Sequence, residues 1–407
     1  MTPPAALDRI DVTSSAFRAN PFPYYARMRA EAPVLRVDAG RFGPAWLITR
    51  YDDVAAALVD DRLVKDRRNA VPPEQARTVR NMPRFLASLE RGLLSLDGDE
   101  HDRLRGLARR AFTPRRIEHL SDQILTRADD LLDTAADRGG MDVVSDFALP
   151  LATALIAGIL GVPEHDTPRF SRWSTALIHG PQRRFPATAV PSILRFLGYV
   201  RRLIEDKAQN PRDDLISAMV SVREGDDRLT ADEILAMVVL LLTAGHETTV
   251  NLIASGTLAL LDHPAQLARW RADATVAGTG VEELARFVVP AETATQRYAR
   301  EDISIGGARI PQGSLVLAVL ASANRDHARF ESPDQLDIGR VENRHLSFGR
   351  GAHYCLGAPL ARMEARIAIT ALLHRAPGLT LAVNPEKLEW RGGLVLRGLR
   401  SLPVAFG

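Results

Sequence analysis

Phe348-Gly349-Arg350-Gly351-Ala352-His353-Tyr354-Cys355-Leu356-Gly357 holds the single cysteine of a 407-residue chain, set among glycines. A lone cysteine is ordinarily a small buried hydrophobe. Here Gly349, Gly351 and Gly357 permit positive φ and close backbone approach, as in a tight loop wrapped on something flat. Backbone N–H groups of such a loop can stabilise the thiolate, the form of cysteine that binds metal. Residues 358–373 are rich in helix formers, and a helix starting there sets its positive dipole end near the sulfur. The stretch has two readings, a thiolate ligand or an inert buried thiol.

A second group is Ala244-Gly245-His246-Glu247-Thr248-Thr249, a polar interruption in an apolar helical run. The Thr248 hydroxyl can bond back to the carbonyl of Ala244, and Gly245 lets another group lie close. Together they are expected to open the helix locally into a groove for a small ligand; the plain alternative is a kink with a paired acid. His-Glu-x-x-His, the zinc protease pattern, fails because position 250 is Val250. His101 and Arg105 stand four apart on one helix face and suit a buried anion as well as a solvated surface. Glu283-x-x-Arg286 is an i, i+3 pair of the kind common on surface helices.

In this order the motifs resemble the cytochrome P450 family. Phe-Gly-x-Gly-x-His-x-Cys-x-Gly matches its haem-binding loop at every fixed position, and Ala-Gly-x-Glu-Thr its oxygen-binding motif. The resemblance implies that Cys355 is the thiolate ligand of a haem b iron, with Phe348, Gly349, Gly357, Ala244 and Gly245 around the group. It implies that His101, Arg105, Arg297 and His353 bind the propionates, that Thr248 hydrogen-bonds dioxygen and that Glu247 feeds protons. Glu283 and Arg286 are implied to pair with Arg340 in a structural role that steadies the cysteine loop. The implied pocket takes in Phe85, Leu86, Leu93, Leu241, Ala244, Ala291 and Thr293. Two departures stand out: Gly98-Asp99 replaces the common Pro-Pro before His101, and His327 replaces a usual proline.

The elements that must carry these groups read as follows. Residues 1–20 form a polar, proline-containing arm, and Asn20-Pro21-Phe22-Pro23-Tyr24-Tyr25 opens a helix with Tyr25, Met28 and Arg29 at helical spacing. Val34-Leu35-Arg36-Val37 and Ala45-Trp46-Leu47-Ile48-Thr49 read as strands, and Asp52-Asp53 as the cap of a helix over 54–59. Residues 62–93 are irregular, and 117–223 form a long helical stretch. Within that stretch 147–163 is apolar on nearly all sides, as in a buried helix. Arg183, Arg184 and Phe185 sit at the tip of what matches the family's lid. Thr230-Ala231-Asp232-Glu233 is a capping box. The helix it opens runs to about Leu261, where Asp262-His263-Pro264 stops it, a span of roughly 45 Å. Short strands are expected at 303–305 and 308–310, and a terminal sheet over 379–406. The implied fold is mainly α with small β-sheets, a triangular prism with a long central helix and a cysteine-ligand loop, built as one domain over 1–407.

Composition agrees with an ordinary globular protein: 46% hydrophobic and 25% charged. A net charge of +2 gives no bulk reason to expect nucleic acid or an anionic membrane. No run reaches the ~18 apolar residues of a membrane span, no signal-peptide core opens the chain, and one cysteine suits a reducing compartment. A soluble, cytoplasmic monomer is the expectation. No flavin segment or cluster-binding cysteines are read in the chain, so electrons are expected from a separate ferredoxin or flavodoxin-type donor with its NAD(P)H reductase. Arg350 and Arg362 are expected to help dock an acidic donor.

The activity implied is a monooxygenase that hydroxylates or epoxidises a hydrophobic small molecule, such as a natural-product scaffold, with O2 and two electrons. A peroxide-driven peroxygenase, a haem-thiolate isomerase and a non-catalytic ligand-binding protein are the alternatives. The Glu247-Thr248 pair speaks against them.

Overall fold

The computed structural model describes residues 10–76, 92–118, 120–179 and 186–407. The chain divides into two compact units. The first comprises Met1–Val79, Ala128–Ala148 and Thr248–Gly407; the second comprises Arg80–Arg127 and Leu149–Glu247.

In the first unit a five-stranded sheet places Val34–Asp38, Pro44–Ile48, Leu315–Ala318, Arg297–Ala299 and Leu63–Val64 side by side in that order. Val34 pairs with Ile48 and Leu63 with Ala299 in antiparallel ladders, whereas Leu315 pairs with Ala45 in a parallel one. All four residues of Leu315–Ala318 are buried, as a strand covered on both faces must be. The two N-terminal strands lie within a residue or two of their expected bounds, because alternating apolar residues set them locally.

The helix after them differs from the expectation. It runs Tyr51–Ala57, with Asp52 and Asp53 inside its first turn rather than before it. Its first amide, from Tyr51, donates to the Asp326 carboxylate at 2.8 Å, a cap from 275 residues away. The helix Phe22–Glu31 buries Tyr25, Met28 and Arg29 as their spacing predicts. The tail expected as one terminal sheet forms Thr380–Leu381, Trp390–Gly392, Arg397–Leu399 and Pro403–Ala405, divided between two small sheets. The last of these pairs with Gly140–Asp142, a short strand inside the stretch expected to be helical throughout.

The second unit is helical, with Gly98–Ala111, Leu149–Ile159, Thr167–His179, Val190–Gln209 and Leu215–Ser221 as its main pieces. Leu149–Ile159 is the apolar helix expected near 147–163, and it continues directly from a π-helical segment, Val143–Ala148. Lys207 and Asp214 are buried and ion-paired, and Asp214 also caps Leu215–Ser221 by accepting the amide of Ser217. Arg183, Arg184 and Phe185 lie outside the described residues.

One helix, Ala231–Leu261, belongs to both units, divided between Glu247 and Thr248. Its capping box is formed in both directions: Glu233 accepts the Thr230 amide at 2.7 Å, and Thr230 Oγ1 accepts the Glu233 amide at 3.2 Å. The helix is long and apolar enough to cross a membrane by length and composition, but 56% of its most apolar window is buried inside the protein.

Candidate active site

Cys355 is exposed at the end of a loop closed by its own backbone. The Cys355 amide donates to the Phe348 carbonyl at 2.9 Å, and the Gly349 amide to the Leu346 carbonyl at 2.8 Å. Gly349 and Gly351 take φ of +72° and +73°, conformations that side chains resist. At Gly351 a Cβ would also lie 2.7 Å from Val59 Cγ1, so glycine is required there twice over. Gly357 differs, with an ordinary φ of −85° as N-cap of Ala358–Arg375. A Cβ there would meet nothing within 4 Å, so its role is to leave space rather than to make the turn. The 18-residue helix points its N-terminus at the cysteine loop, the favourable end for a thiolate.

Behind the loop, Glu283 and Arg286 are fully buried on the helix Ala277–Val288. Arg286 holds Glu283 through two bonds of 2.8 and 2.7 Å and also donates to the carbonyls of Asn324 and Pro333. Arg340 Nε reaches Glu283 Oε2 at 3.1 Å, and the Asp337 amide reaches Oε1 at 3.0 Å. Both members of the pair thus have further hydrogen-bond partners, which is the condition for a buried ion pair to be tolerated.

Arg297 is buried in its strand and donates to the carbonyls of Thr295 and Leu58, at 3.3 and 3.2 Å. His353 is half-buried two residues before the sulfur. Ala291, half-buried, bridges to Leu396, and the buried Thr293 hydroxyl has no hydrogen-bond partner among the described residues. Between them Glu292 accepts the Tyr25 hydroxyl at 2.5 Å. Burial pushes its carboxyl up to about 7, against the Tyr25 hydrogen bond and the Arg397 charge. Arg397 itself donates to the carbonyls of Arg18 and Ala19. Nothing local in the sequence signals this cluster, since Tyr25 and Glu292 are 267 residues apart.

In the second unit His101 is buried and Arg105 half-buried on Gly98–Ala111, one turn apart. His101 Nδ1 lies 3.0 Å from Asp102 Oδ1. Leu93 is buried just before that helix. Phe85 and Leu86 lie outside the described residues.

Residues 244–249 lie within the α-helix Ala231–Leu261, where the hydroxyls of Thr243 and Thr257 bond back to the carbonyls of Val239 and Ile253. Ala244 is nevertheless exposed, and Leu241, Gly245 and Thr248 are half-buried. Positions 241, 244, 245 and 248 share one helix face, and Glu247 is half-buried beside it. His246, notable in the sequence only for the failed zinc pattern, is buried and lies 2.9 Å from Thr153 Oγ1. That hydroxyl donates to the Leu149 carbonyl at 2.8 Å, so His246 Nε2 is the donor to it.

Sequence reasoning missed two more acids. Glu364, on Ala358–Arg375, is buried with Oε1 unpartnered among the described residues, and burial pushes it up to about 8. Glu282, half-buried, engages Arg362 through bonds of 2.5 and 2.9 Å, and the Arg362 side chain is 31% exposed. Arg350 is exposed.

These donors fit haem. Ionised, the cysteine would supply a soft ligand; the helix N-terminus and Arg297 would supply positive charge for an anion-bearing rim, and the open side of Gly357 would admit a flat ring.

A family model described as Cytochrome P450 matches residues 199–376. The monooxygenase PikC of Streptomyces venezuelae is 43% identical over 404 residues, covering 98% of this chain and 94% of its own. The structure of PksS, from the bacillaene polyketide synthase of Bacillus subtilis, superposes with a TM-score of 0.90 at 39% identity, over 98% of this chain and 100% of that one. The myxobacterial CYP267B1 in complex with myristic acid gives 0.88 at 43% identity, over 97% and 98%. Relatives this similar along nearly their whole lengths show that the chain belongs to the cytochrome P450 family, the monooxygenases that bind haem through a cysteine thiolate and draw electrons from a redox partner.

Proposed function

We propose that Cys355 is the haem ligand of a monooxygenase acting on a hydrophobic natural-product or fatty-acyl scaffold. The carrying observation is the sole cysteine, exposed at the mouth of a glycine loop closed on Phe348. Thiolate-ligated haem supplies O2 activation and cleavage of the O–O bond when bound. Arg297 and His353 act from the cysteine's own unit as contacts for the propionates. Motif order assigns His101 and Arg105 the same task.

Thr248 holds the oxygen substrate by its hydroxyl, and Glu247 delivers protons to it. Their half-buried positions on the long helix support both roles, since a proton donor needs some access to solvent. The residues assigned to substrate contact by the family resemblance are Leu93, Leu241 and Ala244 in the second unit and Ala291 and Thr293 in the first. Four of the five are apolar, which suits a hydrophobic scaffold, and the unpartnered Thr293 hydroxyl supplies one polar contact. The substrate class rests on relatives whose names carry a polyketide synthase and whose structures hold a fatty acid. Glu283, Arg286 and Arg340 steady the segment that leads into the cysteine loop.

The whole of residues 1–407 serves as one functional domain, a cytoplasmic monomer fed by a ferredoxin or flavodoxin-type donor with an NAD(P)H reductase. Optical titration of the purified ferric protein with a macrolide panel and with myristic acid tests the substrate class. A Soret shift to high spin is expected with a member of one set. Product formation with ferredoxin, reductase and NADPH, and its absence with peroxide alone, separates the monooxygenase from a peroxygenase.

A further inference from the structure

We propose that Glu282, the neighbour of the ion-paired Glu283, is a positioning residue for the sulfur ligand, acting through Arg362 and Phe348. The inference rests on Cys355 being the haem ligand.

Consecutive residues on a helix point about 100° apart, and the two acids hold different segments. The bonded partners of Glu283 are Arg286 and residues 337–343. Those of Glu282 are His345 and Arg362, on either side of the cysteine. Arg362 grips it with two parallel bonds, the strong bidentate geometry, at 2.5 Å from Nε and 2.9 Å from Nη2. His345 Nε2 adds a third contact at 3.1 Å. The Ser347 amide donates to His345 Nδ1, so Nε2 carries the proton and donates to Glu282. Against the upward push of burial, the hydrogen bonds from His345 and Arg362 hold the Glu282 carboxyl at about 2.

Held this way, Arg362 makes two contacts that bear on the sulfur. Its Nη1 donates to the hydroxyl of Tyr354, the residue before Cys355, at 3.0 Å. Its guanidinium carbon lies 4.1 Å from the centroid of the Phe348 ring, close enough for a cation–π contact. The His345 ring flanks the same phenyl, with centroids 5.8 Å apart. Phe348 in turn accepts the Cys355 amide. One carboxylate therefore fixes a residue before the glycine turn, the ring within it and the residue next to the sulfur. It also neutralises the Arg362 cation beside the loop. Loss of Glu282 frees the fork of Arg362 and leaves its charge uncompensated, so both the retention of the thiolate and the haem potential respond.

The test uses purified holoprotein as wild type, Glu282→Ala, Glu282→Gln, Arg362→Gln and Cys355→Ser. The ferrous–CO spectrum and the haem reduction potential are measured for each. Wild type is expected to show the long-wavelength thiolate band and Cys355→Ser to lack it. In Glu282→Ala that band is expected to convert to the thiol form at least about tenfold faster, as for loss of a charge-assisted hydrogen bond. Glu282→Gln keeps an acceptor for Arg362 and is expected to fall between. The potential is expected to rise in Glu282→Gln, which leaves a cation uncompensated, and to fall in Arg362→Gln, which removes it. A residue that only stabilised the fold would not give opposite signs. Should Glu282→Ala yield no holoprotein, the two Gln variants carry the test. Wild-type decay rates and potentials in every folded Glu282 and Arg362 variant would overturn the inference and leave Cys355 standing. Absence of the thiolate band in wild type would overturn both.

Discussion

The Cys355 amide and the Phe348 carbonyl meet at 2.9 Å, so the loop that presents the sulfur is tied at both ends of its glycine turn. That closure needs Gly351 at φ +73° in contact range of Val59. Gly351→Ala is expected to cost about 2–4 kcal/mol from backbone strain and overpacking together. Haem content and denaturant unfolding read the effect; an unchanged midpoint with full haem loading would contradict it. Gly357→Ala, with open space at its Cβ and an ordinary φ, is expected to keep its stability but load haem poorly.

The buried ion pair behind the loop gives a second expectation. Arg286→Ala leaves the Glu283 carboxylate with fewer partners in a fully buried site, and such a loss costs about 3–5 kcal/mol. Arg340→Ala, at a side chain 11% exposed, is expected to cost clearly less. Chemical denaturation of the pair of variants orders them, and the reverse order would show that Arg340 is the principal partner.

Acid should stabilise this protein between pH 5 and 8. Burial raises Glu364 to about 8 and Glu292 to about 7, both above the ordinary glutamate value of 4.5. The folded state therefore binds more protons than the unfolded chain in that interval. The associated stability is complete below about pH 4.5 and is lost as pH rises through 7 and 8, at about 1.4 kcal/mol for each tenfold difference in proton affinity between the folded and unfolded states. Glu282, held near 2, acts only below this window. Thermal unfolding at pH 5.5 and pH 8 is expected to give the higher Tm at the lower pH. Glu364→Gln is expected to flatten that difference and to raise Tm at pH 8. A Tm that climbs toward pH 8 in wild type would rule the assignment out.

At the oxygen site the two neighbours are separable. Glu247→Gln is expected to slow product formation about 100-fold, the usual scale of a lost proton donor. Thr248→Ala is expected to keep NADPH oxidation going while product per NADPH falls. Substrate-induced Soret shifts should be unchanged in both, because neither residue is assigned to binding the organic substrate. Equal losses in binding and turnover would place both residues in the pocket instead.

What the amino-acid sequence determined by itself is the local part. The Thr230–Glu233 capping box, the stop before Pro264, the positive-φ turns at Gly349 and Gly351 and the Glu283–Arg286 pair all join residues within a few positions. Their hydrogen bonds and φ preferences are set by spacing and residue type, so they can be read before any packing is known. The motif order around Cys355 likewise carried the family. Tertiary structure decided the partners that lie far apart. Asp326 caps Tyr51 across 275 residues, Tyr25 meets Glu292 across 267, and Glu282 takes Arg362 across 80. An acid beside Glu283 and an arginine beside the cysteine each look like solvated charges in isolation. Only the packing of Ala277–Val288 against Ala358–Arg375 makes them one ion pair, because the energy of such a bond depends on burial and geometry that no local pattern encodes.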